Sequence, residues 1–280
     1  MPTARSLTKI VKKVPHFKTV LVTGAASYLG TALCENLLSQ GLRVVGLDSF
    51  VHGRRDFIDP PTANPRFTLI KADLKDPLPS ELQSVDYIFH LAANQIHLQK
   101  AEKSSLESFL TNTEGTKNLL EFASHCHASF LLASTVEIYQ GGFSPHDLEN
   151  YFGETESEKA KNTFLQSKRF AESLVWEYAK SEELNARIVR LPHVYGPGFL
   201  GDKPSSNLAG FLESLSIERS TTLLRTSGAF LQIIGSGLDR EFYGYIDDIV
   251  DGLIKAAFDP DSKGKIYPLC DLEGTTTLEL

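Results

Sequence analysis

The chain has 280 residues, 41% hydrophobic and 22% charged, with 35 acidic against 28 basic side chains and a net charge of −7. That size and apolar content support a real core. The acidic balance excludes a general nucleic-acid binder, so any anionic ligand must rely on a few placed cations and backbone N–H groups. Three scattered cysteines, Cys34, Cys126 and Cys270, argue against a disulfide framework and for a reducing, cytoplasmic setting, and no apolar run approaches the length of a membrane span.

In chain order, residues 1–17 read as a basic tail; a transit peptide is the alternative that its bases and lack of acids leave open. Lys18–Thr23 is a β-rich run ending in glycine, and Tyr28–Gln40 carries helical spacing that stops at Gly41. Further strands are expected over Leu42–Asp48, Arg66–Ala72, Val85–Leu91, Ser129–Ser134 and Ala186–Leu191, with helices notably over Leu106–His125 and Glu156–Lys180. Strands alternating with helices predict an α/β fold, a Rossmann-type doubly wound parallel sheet over residues 18–191. Residues 192–280 are expected to form a smaller C-terminal substrate-binding region, whose last residues, 274–280, read as the start of an element and so suggest a truncated end. His125-Cys126-His127 places its two imidazoles on different helix faces and predicts no metal site. Trp176 reads as helix core.

The first strand runs into T-G-A-A-S-Y-L-G, Thr23 to Gly30. Gly24 permits the tight turn, Gly30 allows close helix–strand packing, and the helix N-terminus at Ser27, Tyr28 and Leu29 offers N–H groups and a positive dipole end to a pyrophosphate. Ser27 stands where glycine is commonest, and its Cβ narrows the backbone approach. Asp48 ends the second strand, 18 residues beyond Gly30, the spacing expected of a carboxylate on adenosine ribose hydroxyls. A carboxylate there repels a 2′-phosphate, so NAD is preferred over NADP, although Arg54 and Arg55 follow closely. Asp73-Leu74 is expected at the adenine edge, and Leu91, Ala92 and Ala93 leave room at the sheet's carboxyl edge.

Together with T-N-T-E-G-T-K-N-L-L (Thr111–Leu120), L-L-A-S-T-V-E-I-Y (Leu131–Tyr139), S-K-R-F-A-E (Ser167–Glu172), R-L-P-H-V-Y-G-P (Arg190–Pro197) and R-E-F-Y-G-Y-I-D-D-I-V (Arg240–Val250), these motifs make the chain resemble the extended short-chain dehydrogenases, the NAD-dependent epimerase/dehydratase family. A-S-T-x-E-x-Y and D-S-F-V-H-G-R-R resemble UDP-glucuronate decarboxylases (UDP-xylose synthases) most. The resemblance implies C4 oxidation of a nucleotide sugar, a UDP-sugar, by bound NAD. A tyrosine takes the hydroxyl proton, and a nearby lysine lowers its pKa. It implies catalytic roles for Thr135, Glu137 and Lys168, and cofactor contacts from Ser49, Gly53, Thr111 and Lys168 beside those already named. Substrate contacts are implied for Asn112, Glu137, His193 and Arg240, and a homodimer formed through the two long helices.

The resemblance breaks at Phe164. The lysine of the Y-x-x-x-K pair is Lys168, so position 164 should supply the tyrosine, and phenylalanine has no proton to exchange. Lys168 itself, Tyr139 or Tyr151 is left to take over, or the chain is a catalytically silent binding homologue. A second departure is His193, where the decarboxylases usually carry Asn. A flavin- or NADP-dependent reductase of the same fold is a third, weaker alternative, opposed by Asp48.

Overall fold

The structure, a computed structural model, describes residues 18–94, 101–139, 160–197, 237–238, 240–270, 274–276 and 278–279. The 1–17 tail, Tyr151 and residues 198–236 of the expected C-terminal region lie outside the described residues.

Six strands follow the sequence expectation closely: β1 (Thr19–Thr23), β2 (Arg43–Asp48), β3 (Phe67–Lys71), β4 (Tyr87–His90), β5 (Ser129–Thr135) and β6 (Ala186–Leu191). Short strands β7 (His193–Tyr195), β8 (Arg240–Glu241), β9 (Tyr243–Tyr245), β10 (Ile266–Pro268) and β11 (Thr275–Thr276) come later in the chain. The main sheet has seven strands in the order β10-β6-β5-β4-β1-β2-β3, every pairing parallel. The order reverses direction beside β1, the place where a doubly wound sheet opens a crevice at its carboxyl edge. The helices are α1 (Tyr28–Ser39), α2 (Arg55–Thr62), α3 (Ala101–Cys126), α4 (Ala160–Ser181) and α5 (Ile246–Phe258).

The two faces of the sheet alternate with the pleat. On one, Val20, Val22, Val44, Phe89 and Val189 pack with Leu33 and Leu37 of α1 and Ile249, Val250 and Leu253 of α5. On the other, Leu21, Ile88, Phe130, Leu132 and Ile188 meet Leu119, Leu120 and Ala123 of α3 and Ala171 and Val175 of α4, with Trp176 half-buried against them. Both layers are near-continuous Val, Ile, Leu and Phe, as sheets covered on two faces require.

The boundary expected at residue 192 needs correcting. Helix α5 supplies much of the first apolar layer, and β10 pairs with β6 as the sheet's seventh strand. Arg187 ties this return to the core. Buried, it donates from Nε to Ser262 Oγ (2.8 Å), from Nη1 to the Tyr87 hydroxyl (2.7 Å) and from Nη2 to Asn185 Oδ1 (3.0 Å). Residues 246–268 thus belong to the nucleotide-binding fold. The departure from it begins with β7, which pairs in parallel with β9 in a separate two-stranded sheet, while β8 pairs with β11.

Candidate functional site

The crevice is shaped first by glycines. Gly24 has φ of +71°, and a Cβ there would lie 2.9 Å from Ala92 N; a Cβ on Gly30 would lie 2.0 Å from Gly24 O. The turn between β1 and α1 therefore sits directly on the end of β4, and α1 starts directly over the turn. Ser27 fits without strain at φ −87° and caps the helix: its hydroxyl accepts from Gly30 N (3.0 Å) and donates to Gly24 O (2.7 Å). The expectation that Ser27 merely crowds the backbone overlooks this cap, which the sequence signals as a serine before a helical run. Tyr28 and Leu29 follow at the helix's positive end. The Tyr28 hydroxyl donates to Pro197 O (3.2 Å), and burial raises its pKa to about 12.

Asp48 is buried at the end of β2. One carboxylate oxygen accepts from Ala26 N (2.9 Å) and the other from Phe50 N (2.8 Å). Phe50 lies in the left-handed region, φ +60°, rare for a bulky residue, and its bond to Asp48 helps hold it there. Gly53 is needed next to it, since a Cβ would come 2.5 Å from Asp48 Oδ1. Arg54 is drawn onto Asp56 through two hydrogen bonds, and Arg55 lies over the Phe50 ring, so each has a local occupation beside Asp48.

Of these residues Gly24, Ser27, Asp48 and Gly53 line a solvent-open cleft, with Ser49, Asp73, Leu74, Leu91, Ala92, Ala93 and Thr111. All were expected there from sequence. Val51, His52, Ala72, Asn94 and Glu107 line it as well and were missed. His52 Nε2 lies 3.0 Å from Asn94 Oδ1 across the cleft, and Lys75 bridges Asp73 (3.6 Å) and Glu107 (3.1 Å) at its far end. The contacts of His52 with Asn94 and of Lys75 with Glu107 join segments distant in sequence and carry no motif. A turn that a Cβ would fill, a helix N-terminus above it and a strand-end carboxylate together fit the two phosphates and adenosine of a dinucleotide.

Under the cleft runs a buried chain of hydrogen bonds. Thr116 donates to Asn112 O (2.6 Å), so it accepts from His90 Nε2 (2.9 Å). His90 Nδ1 then accepts from Thr23 Oγ1 (2.8 Å), which accepts from Ala92 N (3.2 Å). Burial, aided by Lys168, lowers the His90 pKa to about 3, so the ring is neutral. Asn112, expected to contact substrate, is instead committed to the protein. Its amide nitrogen donates to Ser167 Oγ (2.9 Å) and Asn94 O (3.2 Å), and its oxygen accepts from Asn94 N (2.8 Å).

At the end of β5 the other candidate residues converge. Thr135 Oγ1 accepts from Glu137 N (3.2 Å), and Glu137 Oε1 lies 3.6 Å from His193 Nε2 on β7. Lys168 of α4 is buried and donates from Nζ to Ala133 O (2.9 Å); burial lowers its pKa to about 8, the Glu172 carboxylate opposing. Phe164, one turn earlier, places its ring centroid 6.0 Å from that Nζ and packs with Val136, Ile138, Leu165 and Phe242. Tyr139 is no substitute: its buried hydroxyl accepts from Arg190, and burial raises its pKa. Arg240, expected on a substrate diphosphate, is half exposed on β8, donating to Gly274 O (2.9 Å) and 3.8 Å from Glu279.

A parallel sheet with a phosphate turn at its switch point and a strand-end carboxylate defines a dinucleotide-binding Rossmann protein. The description "NAD dependent epimerase/dehydratase family" matches residues 20–270, and the chain belongs to that family. It is 30% identical over 237 residues to UDP-glucuronic acid decarboxylase 1 of Arabidopsis thaliana, covering 84% of this chain and 51% of that protein. To UDP-glucuronic acid decarboxylase 1 of Xenopus tropicalis it is 28% identical over 242 residues, covering 85% and 53%. The chain spans about half the length of these curated relatives. Its fold matches UDP-glucuronic acid 4-epimerase from Bacillus cereus in complex with UDP-glucuronic acid and NAD, with a TM-score of 0.75 at 25% identity, covering 93% and 80% of the two chains. It also matches DesIV, a dTDP-glucose 4,6-dehydratase from Streptomyces venezuelae, with a TM-score of 0.71 at 26% identity, covering 90% and 75%. The family is the one the sequence motifs resemble. No described helix is long and apolar enough to cross a membrane.

Proposed function

We propose that the chain is an NAD-dependent nucleotide-sugar enzyme whose substrate is a UDP-hexuronate and whose reaction is that of a UDP-glucuronate decarboxylase. The observation that carries this reading is the continuity of the site. The cleft that suits a dinucleotide, from Gly24 and Asp48 to Ala93, runs along the same sheet edge that ends in Thr135 and Glu137. Bound NAD supplies reversible hydride acceptance at the sugar C4. The chain's own residues do the rest. Asp48 receives ribose hydroxyls, the N-terminus of α1 receives the pyrophosphate, and Thr135 hydrogen-bonds the reacting sugar oxygen. The Lys168 ammonium sits beneath, and Arg240 exchanges Gly274 O and Glu279 for the substrate's diphosphate. Leu106 on α3 and Phe170 on α4 are exposed, with Phe170 6.4 Å from Phe109 between ring centroids, which supports pairing of two copies across this face.

A second reading, a silent binder of NAD and nucleotide sugar, is favoured by Phe164, whose ring fills an apolar cluster where an ionisable hydroxyl is expected. Incubation with UDP-glucuronate and NAD separates the two: UDP-xylose and CO2 form under the first. Intact binding of both ligands without turnover, and turnover created by Phe164→Tyr, would establish the second.

A further inference from the structure

We propose that His193, oriented by Glu137, is the proton acceptor that stands in for the missing tyrosine. The proposal rests on the nucleotide-sugar reading above and adds to it a proton-transfer group of this chain's own.

The other groups near the end of β5 are spoken for. Phe164 has no proton, the Tyr139 hydroxyl is held by Arg190, and the Lys168 ammonium is held by Ala133 O. Glu137 and His193 remain. Glu137 is fixed by its backbone bond to Thr135 Oγ1. Thr135 pairs with Leu191 across β5 and β6, only two residues before His193, so all three residues share one stretch of the sheet's carboxyl edge. His193 is itself fixed: its N–H donates to Phe242 O (2.8 Å), β7 pairs with β9, and its ring lies 5.9 Å from that of Tyr243. The Glu137 and His193 side chains are 15% and 25% exposed, sheltered yet within reach of a ligand.

The direction of the pair matters. Nε2 is the nitrogen 3.6 Å from Glu137 Oε1, and among the described residues Nδ1 has no hydrogen-bond partner. A carboxylate facing Nε2 favours the tautomer that carries its proton there and leaves a lone pair on Nδ1. The 3.6 Å separation is longer than a hydrogen bond, and such contacts tighten when substrate binds. Among the described residues, the ring also neighbours Tyr243 on β9, whose hydroxyl donates to Glu241 on β8.

The step balances. The C4 hydroxyl proton moves to Nδ1, the C4–H leaves as hydride to the oxidised nicotinamide, and the C4–O bond becomes a carbonyl. The imidazolium is stabilised by Glu137, and reversal returns both proton and hydride. Position 164 loses an ionisable group, and position 193 gains one.

The test uses the whole chain with NAD and UDP-glucuronate. His193→Asn is expected to lower kcat by on the order of 100-fold or more, to leave the calorimetric Kd of each ligand within about threefold, and to erase the limb of the pH profile due to the imidazole. Phe164→Tyr added to His193→Asn is expected to restore turnover. In the ligand-free protein, nitrogen NMR of the His193 ring is expected to show the proton on Nε2, with Glu137→Gln weakening that preference. The proposal is overturned if His193→Asn turns over within about threefold of the unsubstituted protein. It is overturned equally if the ring proton resides on Nδ1, or if the unsubstituted protein binds both ligands without turnover; the nucleotide-sugar site survives these results. If neither ligand binds, the nucleotide-sugar reading fails and the proposal falls with it.

Discussion

The Arg190 guanidinium meets the Glu172 carboxylate through two parallel hydrogen bonds, 3.0 Å from Nε and 2.8 Å from Nη2, with both residues almost fully buried. Arg190 lies near the end of β6 and Glu172 on α4, so the pair fixes the helix that carries Lys168 against the sheet. Breaking such a pair from one side leaves a lone buried charge, at about 3–5 kcal/mol. Glu172→Gln is expected to lose that much in urea unfolding. Arg190→Met together with Glu172→Leu should retain more stability than either substitution alone; equal or additive losses would contradict this.

Lys168 makes stability depend on alkaline pH. Its folded pKa, about 8, lies below the ordinary lysine value, so between pH 8 and about 10.4 the unfolded chain still binds a proton that the folded chain has released. Stability contributed by this group therefore rises with pH across that window. Relative to Lys168→Met, the unsubstituted protein should gain about 2 kcal/mol between pH 7 and 9.5, read from paired urea titrations. A flat difference would mean that the ammonium is not desolvated.

His90 acts at the acid side. Its folded pKa, about 3, is depressed below the ordinary imidazole value, so as pH falls the unfolded chain takes up the proton first and stability is lost. Between pH 7 and 4 this group should remove about 3 kcal/mol. His90→Gln should unfold with a shallower acid dependence even if it begins less stable, because its hydrogen bonds to Thr23 and Thr116 are altered.

Two glycines with different surroundings should separate strain from ligand access. Gly30→Ala places a methyl 2.0 Å from Gly24 O and is expected to abolish NAD binding by calorimetry and to cost more than about 3 kcal/mol. Gly264→Ala has nothing within 4 Å but sits at φ +71°, so it should cost about 1 kcal/mol and leave the NAD titration unchanged.

The strands, α1 and the residues that line the cleft beside Asp48 are legible because each rests on local signals: alternating apolar runs, glycine at forced turns, and an acid at a fixed distance. Helix α2 was hidden, since Pro60 and Pro61 lie inside it and read as helix breakers. The return of α5 and β10 to the sheet was missed because the chain between β7 and α5 loses regular periodicity. The motif Arg240–Val250 was recognised, but a motif does not say which layer it joins. Asn112 shows the same limit at a single residue: the family resemblance placed it near substrate, whereas only three-dimensional proximity to Asn94 and Ser167 uncovers its clamping bonds.

The seventh strand's late position has a consequence for synthesis. When the ribosome has delivered β6, that strand still presents an open edge, and the apolar face that α5 will cover is bare. At roughly 5–20 residues per second the nascent chain waits several seconds for residues 246–268. Through that interval it offers other chains an unpaired strand and a sticky surface, so the protein's yield in a cell should depend on holdase chaperones more than its finished stability would suggest.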